Sequence, residues 1–205
     1  MTISRTFLRG VLPLTCAALC AVAPRAGATV PDPRFSVIDN VVVGNATGTL
    51  MGGVPAGYDV SVRDVNNAPK AGSVVTLDFS ATGMKVYSSQ NAGTTVNCLA
   101  KAITRTADAV GHVNFGARVG GYTNAFLVVV IADGVILGNA RARSTDIDGV
   151  DGRTGLGDLA HLANNLINNA SAQETDFDLN GTTGLGDLSL FSTELLSPIG
   201  GTYCP

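Results

Sequence analysis

The 205-residue chain contains no tryptophan, and its four tyrosines and seven phenylalanines make up only 5% of it. A flat aromatic platform for sugars would have to come from Tyr58, Tyr87 and Tyr122, so no more than a weak carbohydrate contact is within reach. Histidine is almost missing too. His112 falls in an expected strand and His161 on an expected helix, with no second His or Cys at zinc-ligand spacing beside it. Neither a Gly-x-Ser-x-Gly nucleophile turn nor a phosphate loop occurs. Acid pairs such as Asp59 and Asp64 sit beside turns, where solvated carboxylates are ordinary. The chain therefore reads as noncatalytic. Its 13 basic residues form no patch interleaved with aromatics, which argues against nucleic acid as a partner.

Long apolar runs are also missing beyond the amino terminus, so no membrane span is expected in the mature chain. At that terminus Arg5 and Arg9 precede an apolar run from Val11 to Ala23, and Ala26-Gly27-Ala28 offers a small-x-small cleavage site before Thr29. Residues 1–28 thus read as a signal peptide and the protein as secreted by a bacterium, with a retained anchor as the alternative. Removing that segment leaves ten basic and 16 acidic residues, a net charge of −6. The tail is more lopsided: from Asp146 onward there are nine acids and one basic residue, Arg153. So compact an acidic tail repels itself unless cations are bound. Cys98 and Cys204 remain after cleavage and could form a disulfide in an oxidising compartment. Two free thiols or an intermolecular link are the alternatives.

The acids are patterned. Asp176, Asp178, Asn180, Gly181 and Asp187 occupy positions 1, 3, 5, 6 and 12 of a twelve-residue stretch. Oxygen donors at 1, 3, 5 and 12, with glycine at 6 for the turn, wrap a calcium ion; position 7, Thr182, would add its backbone carbonyl. Thr183-Gly184-Leu185-Gly186-Asp187-Leu188 repeats Thr154-Gly155-Leu156-Gly157-Asp158-Leu159 letter for letter, 29 residues downstream. In the earlier copy Asp151-Gly152 and Asp158 align on Asn180-Gly181 and Asp187, with Arg153 at the carbonyl position. Its opening acids, Asp146 and Asp148, come one residue early, so this loop carries an extra residue near Gly149-Val150. Two calcium ions are expected, and the second loop has the better spacing. Asp, Asn and Gly also build tight turns without metal.

From about Asp146 to Ser197 the repeat pair resembles a type I dockerin, with Asp rather than Glu at position 12 and no proper helix before each loop. The resemblance implies a small all-α module of paired EF-hand-type loops over residues 144–205. It further implies docking to a cohesin-like or other extracellular protein through positions 10 and 11, here Leu156-Gly157 and Leu185-Gly186. The two identical hexapeptides imply pseudo-twofold surfaces. Leu159, Leu162, Leu166, Leu188, Phe191 and Leu195 are the expected core of this module.

Residues 29–143 are short, β-rich and punctuated. Phe35 to Val43, Tyr58 to Asp64, Val74 to Ser80, Lys85 to Ser88, Val96 to Thr106, His112 to Ala117, Ala125 to Ala132 and Val135 to Arg143 read as strands, and Asp133-Gly134 as a hairpin turn. Seven or eight strands over this length indicate a β-sandwich. The phrases Val62 to Val75 and Thr106 to Val113 resemble bacterial immunoglobulin-like domains of the invasin/intimin type. Arg143-Ser144-Thr145 is the expected linker.

The expected architecture is thus multidomain: an all-β immunoglobulin-like sandwich over 29–143, followed by the all-α dockerin-like module. The expected function is a secreted, noncatalytic calcium-binding protein that docks through its tail and uses the sandwich as spacer or adhesive module. The alternative is a component of an extracellular polysaccharide-degrading, cellulosome-like assembly, with a cohesin as partner and the sandwich touching carbohydrate.

Overall fold

The computed structural model describes residues 29–48, 57–168, 172–195 and 200–205; the expected signal segment, 1–28, lies outside them. The elements are β1 (Val37–Ile38), β2 (Val41–Gly44), β3 (Tyr58–Ser61), β4 (Val74–Asp78), β5 (Lys85–Val86), β6 (Thr94–Asn97), β7 (Ala102–Thr106), β8 (His112–Phe115), β9 (Val119–Gly120), β10 (Val128–Ala132), β11 (Val135–Ser144), α1 (Leu156–Asn168), α2 (Ala172–Thr175) and α3 (Leu185–Leu195).

Six strands form one sheet in the order β2-β11-β10-β4-β7-β6; β1-β3-β8 and β5-β9 form two smaller sheets. Side chains alternate across a strand. Tyr58 and Val60 of β3, Val113 and Phe115 of β8, Val86 and Val119 therefore meet Val75, Leu77, Ile103, Val128, Val130 and Ala140 of the large sheet in one buried cluster. Asp133 (φ 48°) and Gly134 (φ 83°) both take the left-handed conformation that a two-residue hairpin between β10 and β11 requires.

Two expected strands are each broken in two. Phe35 to Val43 splits so that β1 pairs with β3 while β2 crosses to the large sheet and runs parallel to the end of β11. Val96 to Thr106 folds back on itself as the β6–β7 hairpin, with Lys101 at φ 48° in its turn. Apolar pattern alone cannot register a reversal made by such residues.

The sandwich-plus-module architecture is not what the chain adopts. The protein is mostly β, with a six-stranded sheet, two smaller sheets and three short helices of 13, 4 and 11 residues, and no separate all-α calcium module is present among the described residues. The helices complete their core on the large sheet. Val42 of β2 points into the β cluster, while Val43, with Val41 beside it, belongs to a second cluster with Ile147, Leu162, Phe177, Leu190 and Phe191. Arg143 and Ser144, expected in a linker, are the buried end of β11, and the Arg143 guanidinium lies 3.4 Å from Asp176. The physical reason is size. About 50 residues bury too little surface to support an independent core easily, so the helical faces use the free face of β2 and β11.

Of the expected core leucines, Leu162 is buried, Leu159, Leu188 and Leu195 pack at the cluster's edge, and Leu166 is only half-buried. Ile147 and Phe177, each between two loop acids, contribute instead.

Glu194 ties α3 to the segment after β2: Asn45 Nδ2 donates to its carboxylate at 3.1 Å and the Thr47 hydroxyl at 3.3 Å. Burial raises the Glu194 pKa above its ordinary 4.5, against the opposing pull of Thr47. A raised carboxyl pKa adds stability below the unfolded value and loses it as pH rises through the folded one. Glu194→Gln is therefore expected to flatten the decline in melting temperature above pH 4.5, read by thermal denaturation in calcium-free buffers. An unchanged profile would remove Glu194 as its source.

Candidate metal centre

Each repeat gathers its acids at the mouth of a helix. One ligand-capable oxygen from each of Asp146, Asp148, Asp151 and Asp158 lies within 4.8 Å of the others, and the same holds for Asp176, Asp178 and Asp187. Hard oxygen donors in such clusters suit calcium.

The two loops are built alike. Asp158 Oδ1 accepts from the Asp148 N–H at 3.0 Å, and its Oδ2 accepts from the Gly155 N–H at 2.8 Å. In the second loop Asp187 Oδ1 accepts from the Phe177 and Asp178 N–H groups at 2.5 and 3.0 Å, and Oδ2 from Gly184 at 2.7 Å. Each position-12 carboxylate thus closes its loop and, as the third residue of its helix, reaches back to the N–H just before the helix as in a capping box. Gly152 (φ 74°) and Gly181 (φ 92°) make equivalent left-handed turns, as do Gly149 and Leu179, both at φ 61°. The extra residue of the first loop is consequently Val150, which is 75% exposed. The bulge is pushed into solvent, and the four carboxylates still converge.

At position 5, Asn180 Oδ1 accepts from the Thr182 N–H at 2.9 Å, as Asp151 Oδ1 accepts from Arg153 N–H at 3.2 Å. Those bonds set the turn that contains the position-7 residues, Arg153 and Thr182. Position 8 has its own logic. The Thr154 hydroxyl bonds Thr145 at 2.8 Å, and Thr183 bonds Thr175 at 2.7 Å, each pairing position 8 with the residue before its loop. The repeated Thr-Asp-x-Asp of 145–148 and 175–178 carried that signal in the sequence.

Gly157 and Gly186 also have structural work within the loops. A Cβ at Gly157 would lie 2.9 Å from Asp148 Oδ2, and one at Gly186 would overlap Asp178 Oδ2. Glycine at position 11 leaves room for the position-3 carboxylate against the first turn of the helix. Gly186→Ala is expected to weaken calcium at the second loop roughly tenfold, the scale of disturbing a ligand's support. Titration calorimetry beside the wild type checks it, and unchanged affinity would show that Asp178 has another place to go. Leu156 and Leu185 lie alongside, 79% and 76% exposed.

The surroundings of the loops differ. Asp146 is fully buried, and burial pushes its carboxyl up to about 6, opposed by the Tyr203 and Tyr87 hydroxyls that donate to it. Burial raises Asp158 as well, against its backbone donors. Asp176 is raised by burial and drawn back by Arg143. Tyr87 and Tyr203 lie 59 and 57 residues from Asp146 in the chain, so no local spacing ties them to the loop. The structure joins Cys98 and Cys204 in a disulfide, with Cα atoms 5.0 Å apart. Among the described residues no helix is long and apolar enough to cross a membrane.

No protein-family model, no curated protein and no solved structure matches this chain.

Proposed function

We propose that the protein is a secreted, noncatalytic calcium-binding protein whose C-terminal repeats dock an extracellular partner of cohesin-like type, with the β-sheet body as scaffold or spacer. The observation that carries this reading is the duplicated geometry: two acid-lined loops, each opening a helix whose first residue is an exposed leucine. The loops supply hard oxygen donors for two calcium ions: Asp146, Asp148, Asp151 and Asp158 in one, Asp176, Asp178, Asn180 and Asp187 in the other. The Arg153 and Thr182 carbonyls complete the sets. The Cys98–Cys204 disulfide agrees with an oxidising compartment.

Calcium would order the turn before each helix and so fix Leu156 and Leu185. A shallow groove beside Leu156 is lined by Asp151 and by residues 153–157 of the first repeat, with Leu195 from the end of α3 at its side. Apolar anchors rimmed by acids suit a partner with an apolar patch edged by basic residues.

Binding to immobilised cohesins, in calcium and in chelator, tests the partner class. Calcium-dependent capture supports it, and no capture by any cohesin under either condition removes it. Leu156→Lys or Leu185→Lys alone is expected to leave much of the binding, because the two repeats offer equivalent surfaces. The double variant is expected to abolish it. Complete loss from one single variant, with none from the other, would show a one-sided interface.

A further inference from the structure

The last residues lie across the first loop. Residues 200–205 lie beside the end of β5: the Ser88 N–H donates to the Thr202 carbonyl at 2.8 Å, the Cys204 N–H to the Val86 carbonyl at 2.7 Å, and Tyr203 forms an isolated antiparallel bridge with Tyr87. The Gly201 N–H donates to the Gly152 carbonyl at 2.9 Å, fastening the strap to the turn of the first loop. The Cys98–Cys204 disulfide, between residues 106 apart in sequence, ties its far end to the turn between β6 and β7. Two glycines are shaped around it. A Cβ at Gly152 would overlap the Gly201 carbonyl, and one at Gly120 would overlap the Tyr203 hydroxyl and come within 2.9 Å of Asp146 Oδ2.

The strap delivers one functional group to the acid cluster. The Tyr203 and Tyr87 hydroxyls both donate to Asp146 Oδ2, the latter at 3.0 Å, while the Gly149 N–H donates to Oδ1 at 3.1 Å. The tyrosine rings are 4.6 Å apart, and the Arg118 guanidinium lies 5.1 Å from the Tyr87 ring centroid. Asp146 is thereby gripped on both oxygens, the only acid of its cluster held by residues outside the C-terminal repeats among the bonds described. The second loop is supported differently: Asp176 faces Arg143, with no tyrosine hydroxyl among the hydrogen bonds described for it.

We propose that this disulfide-tied strap sets the calcium affinity of the first loop, with Tyr203 and Tyr87 acting as positioning residues for Asp146. The proposal rests on the calcium reading above. The hydroxyls hold a buried ligand carboxylate at one orientation before the ion arrives, so less ordering remains to be done on binding. The disulfide keeps the strap in register. Without it, six residues would be held by three backbone hydrogen bonds and the Tyr203 contacts with Asp146 and Tyr87, and would detach for a larger part of the time.

A calcium titration of the full-length chain, followed by 15N NMR through the Gly152 and Gly181 amides, reads each loop separately. Tyr203→Phe removes one hydroxyl and little volume. It is expected to weaken the first loop roughly tenfold and leave the second within about twofold. The Cys98→Ser/Cys204→Ser double variant is expected to weaken the first loop in the same selective way. Adding Tyr203→Phe to it should change little further, since both act through one contact. If the wild type binds two ions and Tyr203→Phe leaves the first loop unchanged, or weakens both loops equally, the strap proposal falls while the calcium reading stands. If the wild type binds no calcium, both fall.

Discussion

Adding calcium to chelator-stripped protein is expected to raise its melting temperature by roughly 10–20 °C. An ion at a hundredfold its dissociation constant stabilises by about 2.7 kcal/mol, and two independent sites by about twice that. A domain of this size moves by roughly 2–4 °C per kcal/mol. Two features of the metal-free state make it vulnerable. Carboxylate oxygens within 4.8 Å repel one another, and several are buried, with Asp146, Asp158 and Asp187 at most 1% exposed. At about 4 Å a pair of like charges near a protein surface opposes folding by roughly 4 kcal/mol before protonation or local rearrangement relieves it. Because the loops share the Val43, Ile147 and Phe191 cluster with the sheet, their ordering is expected to be felt by the whole chain. A single cooperative transition should therefore move as one. Scanning calorimetry with calcium and with chelator checks this; coincident curves would sink the calcium reading.

Removing a position-12 aspartate is expected to have the largest mutational effect. Asp158→Ala and Asp187→Ala each delete a ligand and leave backbone donors without their partner: the partly buried Asp148 and Gly155 N–H groups in one case, the buried Phe177 N–H with the partly buried Asp178 and Gly184 N–H groups in the other. A buried orphaned donor costs about 1–3 kcal/mol and a partly exposed one less, so Asp187→Ala, which strands the Phe177 N–H, should melt roughly 5–15 °C lower even in chelator and Asp158→Ala by less. Their calcium losses should differ. Chain spacing alone favours the second loop, because ligands one residue out of register would need the loop rebuilt. In the structure Val150 absorbs that residue in solvent. Charge then decides: the first loop has four converging carboxylates, whereas the second has three, with the Arg143 guanidinium 3.4 Å from Asp176. The first loop is expected to hold calcium more tightly, so Asp158→Ala should remove the stronger phase of a calorimetric titration and Asp187→Ala the weaker. The reverse order would mean that loop spacing outweighs charge.

The loops were legible because their chemistry is local. A twelve-residue frame of Asp, Asn and Gly states which oxygens converge within one turn of chain, and the repeated hexapeptide marks where each helix begins. Most β elements were legible for the same reason, since alternation with period two is visible over four or five residues, as in Tyr58 to Val62. Position 11 carries a constraint that the sequence does not state: a Cβ on Gly157 or Gly186, both exposed beside the leucines, would press on the Asp148 or Asp178 carboxylate.

What surrounds the loops was decided by the tertiary fold. No local pattern states that Val42 and Val43 face two different cores, or that Arg143 ends β11 against Asp176 rather than serving as a linker. Nor does one state that Tyr87 and Tyr203 meet at Asp146. Local sequence determined which atoms could bind an ion, because ligand spacing is a property of a short stretch of backbone. Burial, the choice of sheet face and the contacts of Asp146 depend on which distant surfaces exclude water together. That is a property of the packed chain, and it turned two expected modules into one continuous structure.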